Sequence, residues 1–264
     1  MKQTALKVFA VLITLILTLA VGCTEKKDEN KRDVAIFMYH NYISDGEPGD
    51  FDITAEMFEE HVKALTEAGY SCVTFTDLIN FVNGTGDLPE KCVVLSTDDG
   101  YQSVIDIALP ICEKYEAGLT CAVIGGKIHQ HDHFVPDESI AGRIELTSHT
   151  YSLHAIHADG YKGVNVPMTG EALRDQLKAD SDKMINEFGE LFPEVGTIIV
   201  YPFGAHTEEI DGIFRELGYS VSVTVEQGTA TIERGNPDSL RCLPRYQVYP
   251  NLTGKDIVRI AKRK

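Results

Sequence analysis

Cys92-Val93-Val94-Leu95-Ser96-Thr97-Asp98-Asp99-Gly100 is the stretch on which the fold turns. Cys92–Thr97 is a short apolar run ending in small hydroxyl residues, the composition of a strand buried on both faces. Two carboxylates and a glycine follow at once. Adjacent carboxylates are costly unless a cation or a hydrogen-bond network holds them. Asp-Asp-Gly is also a good solvated turn, so the triplet alone leaves both readings open. In a parallel α/β barrel, the pair would sit at the C-terminal end of its strand, where chemistry collects.

On either side, apolar runs alternate with helical periodicity. Val34–Tyr39 reads as a buried strand, and 54–68 as a helix with Met57, Phe58, Val62 and Leu65 on one face, Thr54 as N-cap and Gly69 as C-cap. Strands are expected at 71–75, 119–124, 143–148, 197–201, 219–225 and about 245–249. Helices are expected at 76–82, 103–115 (interrupted by Pro110), 169–188, 207–217 and 254–262. In 169–188 the apolar face is Leu173, Leu177, Met184 and Ile185. Repeated strand–helix units imply a parallel sheet with helices outside it. The unit count, with no GxGxxG turn, favours a barrel over a dinucleotide-binding sheet.

Two more strand ends carry polar residues. His149-Thr150-Tyr151-Ser152-Leu153-His154 follows the strand at 143–148, and Pro202-Phe203-Gly204 follows that at 197–201. One aspartate with two histidines makes a three-ligand metal site with open positions, the form of a catalytic centre, and leaves the second aspartate as a base. Two histidines and a carboxylate also describe non-haem iron oxygenases, although those place the carboxylate close after the first histidine. Lys127–His133 holds His129, His131 and His133 in an irregular loop, read as a rim or lid segment. His61, His157 and His206 are read as surface residues.

In their order and spacing these motifs resemble the polysaccharide deacetylases (NodB-homology domain, carbohydrate esterase family 4). Ser96-Thr97-Asp98-Asp99-Gly100 resembles the TFDDG motif, 149–154 the HTYxLH variant of the second motif, and Pro202-Phe203-Gly204 the PxG part of the third. Phe37-Met38-Tyr39-His40 and the 58–70 stretch resemble one branch that opens with LMYH. The likeness spans roughly residues 34 to 250. It implies a distorted (β/α) barrel with fewer than eight repeats and metal-dependent removal of acetyl groups from a glycan. By position it makes Asp99, His149 and His154 the metal ligands, Asp98 the general base and the Phe203 N–H an oxyanion donor. Two departures stand out. Val200 occupies the place of the third motif's arginine, and Arg245 is the candidate to supply that charge. No histidine follows His206, so His40 is the candidate acid. Zn²⁺ is the expected ion, with Co²⁺, Ni²⁺ or Fe²⁺ suited to the same donors.

Composition narrows the partners and compartment. The chain has 264 residues and a formal charge of −16, which argues against nucleic acid as partner. Lys2 and Lys7 precede the apolar run 8–22, which ends at Ala20-Val21-Gly22-Cys23. This resembles the export signal and lipobox of bacterial lipoproteins. It implies a signal peptide over 1–22, a lipid on Cys23 as membrane anchor, an extracytoplasmic location, and a flexible tether over 23–33. The catalytic domain is then 34–264, and a monomer is expected. The other five cysteines show no CxxC pair and read as buried free thiols. The expected substrate is an N-acetylglucosamine-containing polysaccharide of cell wall or biofilm. Two rival readings are a glycan-binding or surface-assembly protein with little turnover, suggested by Val200, and a hydrolase of a small cyclic amide on the same barrel.

Overall fold

A computed structural model describes residues 29–158 and 160–263. The signal-peptide reading and most of the tether reading lie outside them. Regular structure begins at Lys31, not Val34. Lys31–Asp33, expected in the tether, are instead the first residues of β1 (Lys31–Tyr39), where they pair with β10 (Ala230–Glu233).

The barrel follows from period-two alternation along mostly parallel strands. β1 lies beside β5 (Cys92–Asp99), followed by β6 (Thr120–Val123), β7 (Glu145–Ser148), β8 (Ile198–Val200) and β9 (Val221–Val223). β11 (Tyr246–Gln247) lies parallel to β1, and Val223 bridges Leu243 just before it. The sheet therefore curls until its edges nearly meet. Val34, Ile36, Cys92, Val94, Ala122, Ile198, Val200, Val221 and Val223 form one apolar cluster across the interior. The intervening residues face outward. Ala35, Phe37, Tyr39, Val93 and Leu95 cover α1 (Ala55–Glu67), and Ile199 and Tyr201 cover α4 (Gly170–Phe188) and α5 (Glu208–Glu216). Two short elements follow β1: β2 (Asn41–Ile43) and β3 (Asp52–Thr54), paired with each other.

The alternation places the polar strand ends. Met38 and His40 continue the inward series of β1, Ser96 and Asp98 that of β5, and Arg245 follows Leu243 two residues on. α2 (Phe75–Asn83), which follows β4 (Ser71–Val73), packs Phe75, Leu78, Phe81 and Val82 against the same interior cluster. The buried Glu145, at the opposite end of β7 from His149, accepts the Phe75 and Thr76 N–H groups and the Thr120 hydroxyl. It thereby satisfies free donors at the N-terminus of α2. α6 (Gly254–Ala261) packs on α1.

Several expectations change. β10 runs antiparallel to β1, an exception to the parallel pattern. The helix across Pro110 divides into a π turn (Val104–Ala108) and α3 (Leu109–Lys114), because Pro110 has no N–H to continue the ladder. On α4, Ile185 is exposed, and Asp180 and Ser181 are buried. His61 is fully buried rather than on the surface; its Nε2–H donates to Leu252 O at 2.8 Å, and the Tyr39 hydroxyl meets its Nδ1 at 3.3 Å. His157 and His206 are half-buried, with His206 stacked on Tyr201. All five cysteines among the described residues are free thiols. No helix among the described residues is long and apolar enough to cross a membrane.

Candidate active site

At the C-terminal ends of the strands lies a cleft of about 580 Å³, lined by His40, Asp98, Asp99, His149, His154 and Phe203 among others. Asp98 and Asp99 end β5 in opposite environments. Asp98 points inward and is 3 % exposed. Asp99 takes φ 74°, a left-handed conformation that leaves the regular strand path. The two adjacent carboxylates can thus do different work.

Asp99, His149 and His154 each offer a ligand atom within 4.8 Å of the other two. Asp99 Oδ1 lies 3.8 Å from His149 Nε2 and 3.4 Å from His154 Nε2. Ligand atoms held about 2.0–2.2 Å from one ion stand roughly 3–4 Å apart, so the spacing suits a shared cation. The protonation states suit it too. His149 Nδ1 faces the Val200 carbonyl at 2.7 Å. A carbonyl only accepts, so Nδ1 carries the hydrogen and Nε2 keeps its lone pair towards Asp99. Burial pushes the His154 pKa down to about 4. At neutral pH this imidazole is uncharged, as a ligand must be. The residues present therefore fit a divalent cation.

Asp98 is held by Arg245. The guanidinium donates to both carboxylate oxygens, at 2.7 and 2.8 Å. Its remaining donors meet Ser96 Oγ at 3.0 Å and Thr224 O at 2.8 Å, and the residue is fully buried. Such burial sets this contact apart from an ordinary salt bridge at the rim. Burial alone would raise the Asp98 pKa, but the charge and hydrogen bonds of Arg245 outweigh it and hold the carboxyl well below the usual range. Val200 still serves the centre, through its main-chain oxygen.

His40 enters from the end of β1. Burial lowers its pKa, against the opposing pull of Asp98 and Asp99, and its buried Nδ1 has no hydrogen-bond partner among the described residues. Phe203 stands in the Pro202–Gly204 turn with φ 59°, its ring 4.6 Å from His154. Of the second histidine group, His129 and His131 are exposed and do not converge on the centre. His133 is buried, hydrogen-bonded to Asp132 and packed 5.1 Å from the ring of Tyr101, which lines the cleft.

Sequence reasoning missed Asp180, a carboxylate on the buried face of α4. The signal was present: it lies three residues after Leu177 and four before Met184, on the apolar stripe. It also missed the cleft-lining Phe51 and Tyr249, which sit in loops without periodicity.

Comparison with known proteins places this geometry. Residues 85–222 match the family model described as polysaccharide deacetylase. YxkH of Bacillus subtilis (strain 168), named as a polysaccharide deacetylase, is 30% identical over 228 residues, 86% of this chain and 76% of that protein. The poly-β-1,6-N-acetyl-D-glucosamine N-deacetylase of Escherichia coli (strain K12) is 26% identical over 257 residues. The match covers 83% of this chain but only 37% of that protein. Among solved structures, IcaB from Ammonifex degensii superposes with a TM-score of 0.72 at 21% identity, covering 88% of this chain and 97% of that one. The Streptococcus pyogenes deacetylase PplD, solved with acetate, gives 0.70 at 18% identity, covering 87% and 98%.

Proposed function

The chain belongs to the polysaccharide deacetylase family, and from that membership we propose that it hydrolyses acetamido groups of an N-acetylglucosamine polymer of cell wall or biofilm, using a divalent metal. One observation carries this reading: three ligand atoms converge beside a second carboxylate, outside their set, that a buried arginine keeps ionised. A protein that only bound glycans would need no such spare base. The name of the Escherichia coli relative favours a poly-N-acetylglucosamine substrate over other acetylated glycans.

Asp99, His149 and His154 would hold the cation. When bound, it would polarise the acetyl carbonyl and acidify the attacking water. Asp98 takes a proton from that water, while Arg245 keeps its carboxylate charged and aimed into the cleft. The Phe203 N–H donates to the oxyanion that develops on the carbonyl oxygen, a role that needs only the main chain. Protonated His40 delivers its proton to the leaving sugar nitrogen, so the products are acetate and a free amine. Zn²⁺ is the ion we propose on donor type, although the same donors suit Co²⁺, Ni²⁺ and Fe²⁺. The sequence Ala20-Val21-Gly22-Cys23 after a basic, apolar leader supports export and a lipid anchor on Cys23.

Acetate release from poly-N-acetylglucosamine, peptidoglycan fragments, chitin oligomers and acetylated xylan tests the reading, with chelator and then with Zn²⁺ restored. Release from N-acetylglucosamine polymers that disappears on chelation and returns with metal is expected. Full turnover in the chelated protein, or release confined to the O-acetylated xylan, would overturn it.

A further inference from the structure

The turn that joins the two histidine ligands is pinned through its first four residues. His149 N–H donates to Val123 O at 3.0 Å, and Thr150 N–H to Ser148 Oγ at 3.1 Å. The Thr150 and Tyr151 carbonyls accept the N–H groups of Gly125 and Gly126, at 3.1 and 2.7 Å. Thr150 itself is at φ 68°, a conformation that a β-branched residue rarely adopts and that surrounding bonds must hold. The glycines are needed for this approach. A Cβ on Gly125 would fall 2.5 Å from the Tyr151 ring and 2.6 Å from Met184 Sδ.

The next two N–H groups, of Tyr151 and Ser152, converge on one side chain. Asp180 Oδ2 accepts from Tyr151 N at 2.7 Å, and its Oδ1 accepts from Ser152 N and Ser152 Oγ, both at 2.8 Å. Asp180 is 6 % exposed and makes no ion pair among the described residues. A carboxylate buried without a cation is costly, and a neutral side chain would fill the helix face at less expense. Its charge is used instead to draw in three donors from the six-residue segment whose ends are His149 and His154.

We propose that Asp180 is a positioning residue for the metal centre: it clamps the strained turn and so sets the separation and aim of the two imidazoles. The inference rests on the metal-dependent reading above. Asn in its place would turn an amide N–H towards a main-chain N–H and release one side of the clamp. Ser152→Ala would remove only one of the three donors.

The test is Zn²⁺ affinity of the full chain, stripped of metal and titrated against a chromophoric chelator, with circular dichroism as a check on folding. Asp180→Asn should bind Zn²⁺ about 10- to 100-fold more weakly, and Ser152→Ala a few-fold more weakly, the scale on which partners of metal ligands act. The lost turnover of Asp180→Asn should return in excess Zn²⁺, which simple loss of folded protein would not allow. Affinity within twofold of the parent overturns the proposal. If Asp180→Asn does not fold, Ser152→Ala decides, and unchanged affinity there overturns it equally. His149→Ala separates the two readings: if it binds Zn²⁺ as well as the parent, the metal centre itself is wrong. If it loses Zn²⁺ while Asp180→Asn does not, only the clamp is wrong.

Discussion

Arg245 and Asp98 lie 147 residues apart in the chain, and the guanidinium of one spans both carboxylate oxygens of the other inside the barrel. Each charge is buried and each is the other's main compensation. Removing one partner should therefore cost far more than removing both. Arg245→Met is expected to destabilise the protein by about 3–5 kcal/mol, and Asp98→Asn combined with Arg245→Met to recover a large part of that loss. Urea unfolding of the parent and both variants at neutral pH checks the pattern; equal stability of the single and double variants would contradict it.

The same contact has a kinetic signature. In the proposed mechanism Asp98 acts as a base only when ionised, so activity should fall as pH drops through its pKa. Without Arg245, burial pushes that pKa upward. The acid limb of the pH–rate profile should move to higher pH in Arg245→Met, if enough turnover survives to record it.

Asp98 and Asp99 should fail in different ways. Asp98→Asn is expected to lower turnover by about 10³-fold or more while keeping its metal, since base and electrostatic roles are removed together. Asp99→Ala removes one of three ligands and should come out of purification without metal. Metal content measured beside acetate release distinguishes the two.

These carboxylates were legible because a barrel puts chemistry at strand ends and because the motifs keep their order. The Asp98–Arg245 contact was reachable only by asking what replaced the arginine at Val200. Asp180 was harder: a single acid on an apolar stripe looks like a flaw in helical periodicity until the loop it faces is known. The antiparallel β10 and the short β2–β3 pair escaped because two- to four-residue segments carry almost no periodic signal. His61 was misread because nothing in α1 distinguishes a buried histidine bonded to Leu252 O from an exposed one.

In the proposed mechanism Phe203 acts through its main-chain N–H, while its ring, tilted at 39°, packs 4.6 Å from His154. Phe203→Ala should cost less than about tenfold in turnover, whereas loss of an oxyanion donor costs about 10²–10³. A larger loss in Phe203→Ala, measured on metal-saturated protein, would assign the ring a greater part than packing on His154.

His61 makes stability depend on pH. Burial lowers its pKa in the folded protein, against weaker opposing pulls from Leu252 O, Glu60 and Asp256. Below about pH 6.5 the unfolded chain then binds a proton that the folded chain resists. This contribution is fully present above that pH and is lost as pH falls through and below it. The urea midpoint should drop between pH 7 and 5, and drop less in His61→Gln. Parallel curves for the two proteins would show that His61 is not the cause.

The grip of Arg245 on Asp98 also imposes an order on biosynthesis. Every side chain in the ligand triad has been translated by residue 154, but the cation that keeps the base ionised arrives ninety residues later. A chain that stops short of position 245 carries all three triad residues but lacks the guanidinium that compensates Asp98. The compensation of that carboxylate is therefore completed only when nearly the whole polypeptide has been made, and a change that ends the chain before Arg245 removes it while Asp99, His149 and His154 are still encoded.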